Sequence, residues 1–221
     1  MDLGTRIKKY EQCSDISLLP RGYIVIRVDG KSFHNFTKGM KKPFDFKLID
    51  AMVGAGIMCS RKMQGFKLGY HQSDEFTFIL SDMDSYETEM WFDRRVQKIC
   101  SITASMFTVY FNQLLGTNDA MFDARAFNVP EEDIPNVIIW RQQDWERNSI
   151  QMLAHSIFSS KELYEKSNAD IHEMLWSRNL NWAKLPSQLK NGTLILKGGQ
   201  SVERKFDYNM LAQLLKDQIK V

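Results

Sequence analysis

GYIVIRVDGKSFH, residues 22–34, and FKLGYHQSDEFTFIL, residues 66–80, between them set the architecture of this chain. The first is a β-branched, apolar run from Tyr23 to Val28, bounded by Pro20 and stopped by Asp29-Gly30. That is the pattern of a buried strand ending in a turn. In the second, Phe66 to Gln72 and Phe76 to Leu80 flank the polar tripeptide Ser73-Asp74-Glu75, which predicts a hairpin. Phe76, Phe78 and Leu80 alternate with Thr77 and Ile79, as on a strand with one well-buried face.

The flanking sequence completes a unit. Residues 5–13 predict a short lead-in helix, and Lys38 to Pro43 a basic loop. Asp45 can cap a helix running to about Lys62, with Leu48, Met52, Ala55 and Met58 on its apolar side. A second helix is predicted from about Tyr86 to Phe111, where Phe92, Val96, Ile99, Thr103, Met106 and Tyr110 recur at three- and four-residue steps. Residues 121–129 (MFDARAFNV) read as a fourth strand ended by Pro130. The order strand, helix, strand, strand, helix, strand is the ferredoxin-like split unit. The expected class is therefore α+β, a four-stranded antiparallel sheet with helices on one face. From residue 131 the pattern turns mainly helical, opening on Glu131, Glu132, Asp133 and Pro135. The expected division is residues 1–130 and residues 131–221, with no flexible linker and a shared core. The tail predicts a short strand pair (Thr193–Lys197, Ser201–Lys205) and a last helix.

Composition removes several classes. The chain has 221 residues, 43% of them hydrophobic and 25% charged, enough to bury a sizeable core. Only 5 Pro and 12 Gly exclude a collagen-like or disordered chain. With 29 basic and 27 acidic residues the net charge is +2, so any basic surface must be a local patch. Cys13, Cys59 and Cys100 lack metal-ligand spacing and fit free thiols in a reducing compartment. Neither a signal peptide nor an apolar run long enough to span a bilayer is read, so the expectation is a cytoplasmic protein with no membrane partner.

In the split unit the first and third strands are antiparallel neighbours. Asp29 and Asp74, 45 residues apart in sequence, are thereby brought together. Two such carboxylates repel unless a cation lies between them. Mg²⁺ suits the place, because it takes oxygen ligands and leaves positions for phosphate oxygens; two ions would serve a phosphoryl transfer. Consecutive strand residues face opposite ways, so only one of Asp74 and Glu75 joins Asp29 directly, and the alternation with Phe76 and Phe78 selects Asp74. Taken alone, Asp29-Gly30 reads equally as an ordinary turn and Ser73-Asp74-Glu75 as an ordinary hairpin tip. Gly30-Lys31-Ser32-Phe33-His34 is a turn whose successive N–H groups can cradle a polyphosphate, without Walker spacing. Lys38, Lys41 and Lys42 form one basic group and Arg94, Arg95 and Lys98 another, each also readable as a solvated face. Arg141 to Ser149 is a polar run within the helix after Pro135, with Trp145 available for stacking on a nucleic-acid strand.

These stretches carry a resemblance. Arg27-Val28-Asp29-Gly30-Lys31-Ser32-Phe33-His34 resembles the RxDGxxFHxF signature of the tRNA-His guanylyltransferase superfamily. Tyr70 to Phe78 resembles its YGQSDEYSF signature, with His71 for Gly; Phe122-Asp123-Ala124-Arg125 resembles its FDGR strand; Arg141-Gln142-Gln143-Asp144 matches its RQxD helix. The four lie in family order over about residues 20–165. The resemblance implies a polymerase-like palm that adds nucleotides to a tRNA 5′ end, in the 3′-to-5′ direction, after 5′ activation with ATP or GTP. It implies Asp29, Asp74 and Glu75 as catalytic residues, and Asp29, Asp74 and the Gly30 carbonyl as ligands of two Mg²⁺ ions. It implies triphosphate contacts from residues 29–34 (Asp29, Gly30, Lys31, Ser32, Phe33, His34) and from Ser73-Asp74. Lys42 matches a family lysine before proline, Asp45 a position near the base, and Arg95 and Lys98 a basic pair holding another triphosphate. It also implies GTP and ATP as substrates, tRNA as partner and a homotetramer, a dimer of dimers. Where eukaryotic members continue into His-Ile-Asn-Asn, this chain has Trp145-Glu146-Arg147-Asn148-Ser149. That resembles the Thg1-like branch, which extends 5′-truncated tRNAs against the opposite strand. The alternatives are a tRNA-His guanylyltransferase adding a single G, a non-catalytic RNA-binding palm, and a nucleotidyl cyclase.

Overall fold

In the computed structural model, which describes residues 1–219, the apolar run after Gly22 is strand β1 (Tyr23–Gly30). It lies between β3 (Glu75–Ser81) and β4 (Phe122–Val129), antiparallel to both. β2 (Phe66–Gln72) forms the hairpin with β3. The order β4-β1-β3-β2 is that of the split unit read from the sequence. The sheet goes on beyond it. β5 (Thr193–Leu196) pairs with the free edge of β2, and β6 (Ser201–Val202) with β5, giving six strands rather than four. The tail strands are short, but docking them satisfies the exposed backbone of β2 that a four-stranded palm would leave open.

Helices cover both faces, not one. The chain opens on α1 (Leu3–Gln12), an exposed helix; on one face of the sheet the single turn α2 (Phe33–Phe36) precedes α3 (Phe46–Ser60), which packs against α4 (Val96–Leu115). Ile24, Ile26, Val28, Phe76, Phe78 and Phe122 meet Met52, Phe107 and Phe111 there. Gly56 lets α3 close on the sheet: a Cβ there would stand 1.9 Å from the Phe76 ring. On the other face, Tyr23, Val25, Leu68, Tyr70 and Ile79 meet Ile134 and Ile138 of α5 (Ile134–His155). A run apolar at successive positions, such as Tyr23 to Ile26, is the signature of a strand covered on both sides. The remaining helices are α6 (Ser160–Leu163), α7 (Asn168–Ser177), α8 (Ser187–Asn191) and α9 (Tyr208–Ile219). The first two pack on the end of α5, while Leu211 and Leu215 of α9 join the core above the sheet. Residues from both sides of position 130 therefore share that core.

The helix predicted from Tyr86 is shorter at its start. Trp91–Arg94 is a 3-10 turn in which Phe92 and Asp93 have φ of 50°, and α4 begins at Val96. The backbones of Ile16 and Leu18 bond to Val96 and Arg94 and take this segment out of helical register. At the other end α4 runs past Phe111 to Gly116, whose φ of 76° closes it.

Candidate active site

The end of β1 and the hairpin tip meet as the topology requires. Asp29 lies opposite Glu75 on one side and Asp123 on the other. β3 begins at Glu75, so Glu75 and not Asp74 is the ladder partner of Asp29. Asp74 sits one residue earlier, in the turn with Ser73, whose φ is 52°. The Gly30 N–H donates to the Asp74 carbonyl at 3.1 Å, which fixes the turn against the end of β1. Lys31 N–H donates to Met121, at 2.8 Å, so of the turn expected to cradle phosphate two amides are already engaged. A Cβ on Gly30 would stand 2.2 Å from the Phe33 ring, which is why that turn needs glycine.

The two turn carboxylates differ in surroundings. Burial raises the Asp74 carboxyl above the usual range; the Ser73 hydroxyl, donating at 3.0 Å, opposes this, and the Asp29 charge adds to it. Asp29 has the Arg125 guanidinium at 3.6 Å. Burial also raises Glu75, against the Arg141 and Arg27 guanidiniums, with Asp29 and Asp74 adding. Arg141 Nη2 stands 2.9 and 2.8 Å from the two Glu75 oxygens and 2.8 Å from Asp144. Arg141 is itself buried and forms a buttress beneath Glu75, while Gln143, Arg147 and Asn148 of the same polar run face solvent. Trp145 is buried as well, edge-on to Phe44 at 6.2 Å, and is not a free stacking surface. Trp140, one residue before Arg141, is the half-exposed indole, with Arg27 and Arg141 over its ring at 5.5 and 4.5 Å.

A cavity of about 290 Å³ opens beside Asp74. Phe33 and His34, then Lys42 and Asp45, then Ser73 and Asp74 line it, as do Phe44, His71, Gln72 and Trp145. Asp45 caps α3 by accepting from Lys47 at 2.9 Å and from Leu48 at 3.4 Å, and also holds Lys41 N–H at 3.2 Å, which pins the lysine loop to the cavity rim. The sequence did not point to Phe44 or His71 as cavity walls; a substituted motif position was the one available signal. Ser32 and Lys31 are exposed at the turn.

Arg95 and Lys98 are not brought to this place. α4 runs antiparallel to β1, so its first turn lies at the far end of the sheet, roughly 25–30 Å of helix rise from the carboxylates. There Arg95 pairs with Asp15 at 2.9 Å, and Lys98 lies over the Phe92 ring at 5.8 Å. The helix-face argument located their element but not which end of it faces the mouth.

His71 carries a pH signature. Burial pushes its imidazole down to about 4. The unfolded chain takes up this proton from about pH 6.5 downward, so the group's contribution to stability is full above that and is lost as pH falls toward 4. The loss of stability between pH 7 and 4.5 should be about 2–3 kcal/mol smaller in His71→Gln than in the wild type, by urea denaturation. Asp74 and Glu75 act in the opposite sense in both proteins. Parallel pH curves for the two would show that His71 titrates normally.

Among the described residues no three His, Cys, Asp or Glu side chains gather in the manner of a closed metal site, and no helix is long and apolar enough to cross a membrane. An antiparallel palm with carboxylates at the joined ends of its central strands, opening on a cavity with lysine and histidine walls, is the layout of a nucleotidyltransferase. The tRNAHis guanylyltransferase (Thg1) family model matches residues 4–130. A probable tRNA(His) guanylyltransferase of Dictyostelium discoideum is 30% identical over 213 residues, 86% of this chain and 80% of that protein. A bacterial tRNA(His) guanylyltransferase (Thg1)-like protein in complex with ATP superposes with a TM-score of 0.93 at 35% identity, over 97% of this chain and 99% of that one. A bacterial Thg1-like protein in complex with GTP gives 0.85 at 33% identity, over 99% of each. The chain belongs to the tRNAHis guanylyltransferase family, and is an enzyme of the nucleotidyltransferase class.

Proposed function

We propose that this chain is a Mg²⁺-dependent 3′-to-5′ nucleotidyltransferase that rebuilds 5′-truncated tRNA against the opposite strand. The observation that carries the reading is the meeting of the Asp29 end of β1 with the Ser73-Asp74 turn, which lines a cavity together with His34, Lys42 and Asp45. The donor set fits a hard divalent cation. Asp29, Asp74 and the Gly30 carbonyl offer only oxygen, and Asp74 is half-buried beside a second negative charge with the Ser73 hydroxyl donating to its carboxylate. Two protein carboxylates with phosphate oxygens are a usual Mg²⁺ set. When bound, the ions neutralise phosphate charge and stabilise the attacking and leaving oxygens.

The chain's own groups orient the reactants. Lys42 and His34 offer positive or donor groups to a triphosphate, while Phe44 and Trp145 give the cavity an apolar wall for a base. Arg141 holds Glu75 so that it keeps the carboxylate row in place. In the reaction, the tRNA 5′-phosphate is first joined to a nucleotide from ATP or GTP, with loss of pyrophosphate. The 3′-hydroxyl oxygen of the incoming triphosphate then bonds to the tRNA phosphorus, the activating nucleoside monophosphate leaves, and the hydroxyl proton passes to solvent. Template pairing selects the nucleotide, so a chain without the His-Ile-Asn-Asn run suffices. Arg95 and Lys98, at the other end of the sheet, are assigned to a separate phosphate contact. ATP and GTP in the similar bacterial proteins support a nucleotide in the cavity.

Incubation with labelled GTP and two RNAs, a 5′-truncated tRNA and a full-length tRNA-His, tests this. Filling of the truncated end to full length, with little label on tRNA-His, is expected. Addition of one G to tRNA-His alone would select the maturation reading instead.

A further inference from the structure

His71 stands where the family signature has glycine, at the end of β2, three residues before Asp74. Its side chain is buried, with Nε2 3.0 Å from the Ser73 carbonyl. That carbonyl can only accept, so Nε2 carries the proton and Nδ1 is bare. Nδ1 is buried without a partner, and so is the hydroxyl of Thr193, directly opposite in the β2–β5 ladder. Ser73 is a non-glycine residue in the left-handed region, a conformation that needs support from its surroundings. The His71 bond supplies that support at the carbonyl from which the peptide leads to Asp74.

We propose that His71 is a positioning residue: by donating Nε2–H to the Ser73 carbonyl it fixes the Ser73-Asp74 turn, and through it the direction of the Asp74 carboxylate. This rests on the reading of Asp74 as a metal ligand. A two-residue turn held at both ends, by Gly30 N–H on the Asp74 carbonyl and by His71 on the Ser73 carbonyl, has little freedom left.

Three proteins and one spectrum test it. His71→Gln keeps an amide N–H at similar reach, whereas His71→Leu keeps the volume without a donor. Expected are a kcat about tenfold lower in His71→Leu, from the loss of one hydrogen bond, an unchanged KM for GTP, and weaker Mn²⁺ binding by electron paramagnetic resonance. His71→Gln should lie within about twofold of wild type in all three. Equal values for the two variants, with Asp74→Asn inactive, would overturn this proposal alone; an active Asp74→Asn would overturn the reading of the site. If His71→Leu does not fold, His71→Asn, with the same amide on a shorter arm, takes its place. Long-range ¹H–¹⁵N correlation on the wild type needs no variant: an Nε2–H tautomer is expected, and an Nδ1–H tautomer would sink the proposal.

Discussion

Asp74→Asn is expected to lower nucleotide incorporation by about a thousandfold or more, roughly 4 kcal/mol in the barrier, and Asp29→Asn likewise. Each amide is nearly the same size as the carboxylate it replaces, so the turn and the ladder persist. What goes is the charge that a cation and a triphosphate need. The two variants should differ in stability. Asp74 is half-buried, and that burial disfavours its ionised form, so a neutral amide there should leave the melting temperature unchanged or raise it. Asp29 is more open and pairs with Arg125, so its loss should be nearly neutral or slightly destabilising. Activity that collapses while stability holds is the pattern of a strained charged site retained for function. Labelled-GTP incorporation beside a thermal melt measures both, and substantial turnover in the two variants would count against the carboxylate assignment.

Arg141→Met should cost about 3–5 kcal/mol of stability. Arg141 is buried between Glu75 and Asp144, and removing it leaves the half-buried Glu75 without its ion-pair partner, with Arg27 the neighbouring cation that remains. The double variant Arg141→Met with Glu75→Gln should recover much of that loss, because it removes both charges. Urea denaturation of the singles and the double gives the coupling between the pair. Additive losses would mean that Arg141 acts through packing and not through Glu75. Activity separates the roles further: the double variant, refolded but without the buttress, should remain slow.

The palm was legible because its signals are local and periodic. Tyr23 to Val28, the Ser73-Asp74-Glu75 tip and the strand at 121–129 each announce themselves, and chain order then fixes which ends meet. The sheet's outer strands were not. β5 and β6 were read as a hairpin, but nothing in Thr193 to Leu196 names β2 as its partner, since pairing of distant strands leaves no local trace. Helices on the second face were hinted at by the four successive apolar residues Tyr23 to Ile26 of β1 and were read instead as one-sided. The site shows the same division. Asp29, Gly30, Ser73 and Asp74 lie together because strand register brings them there. Asp74 was read as the opening residue of β3, which begins one residue later at Glu75, since a polar turn residue in phase with Phe76 and Phe78 looks in sequence like part of the strand. Arg141 was seen as polar and therefore as surface. Its partner Glu75 is 66 residues away, and only the packing of α5 over the sheet shows that the charge is buried. Arg95 and Lys98 stand at the start of α4, away from the carboxylates, since a periodic pattern fixes the apolar side of a helix and not which of its ends faces the site.

Diffraction from crystals grown with Mn²⁺ and a non-hydrolysable GTP analogue, recorded at the manganese edge, puts the whole reading at risk. Anomalous density touching the carboxylates of both Asp29 and Asp74, with the triphosphate alongside, is the predicted result. A nucleotide well ordered in the cavity with no manganese near either carboxylate, or manganese bound only elsewhere, would contradict it.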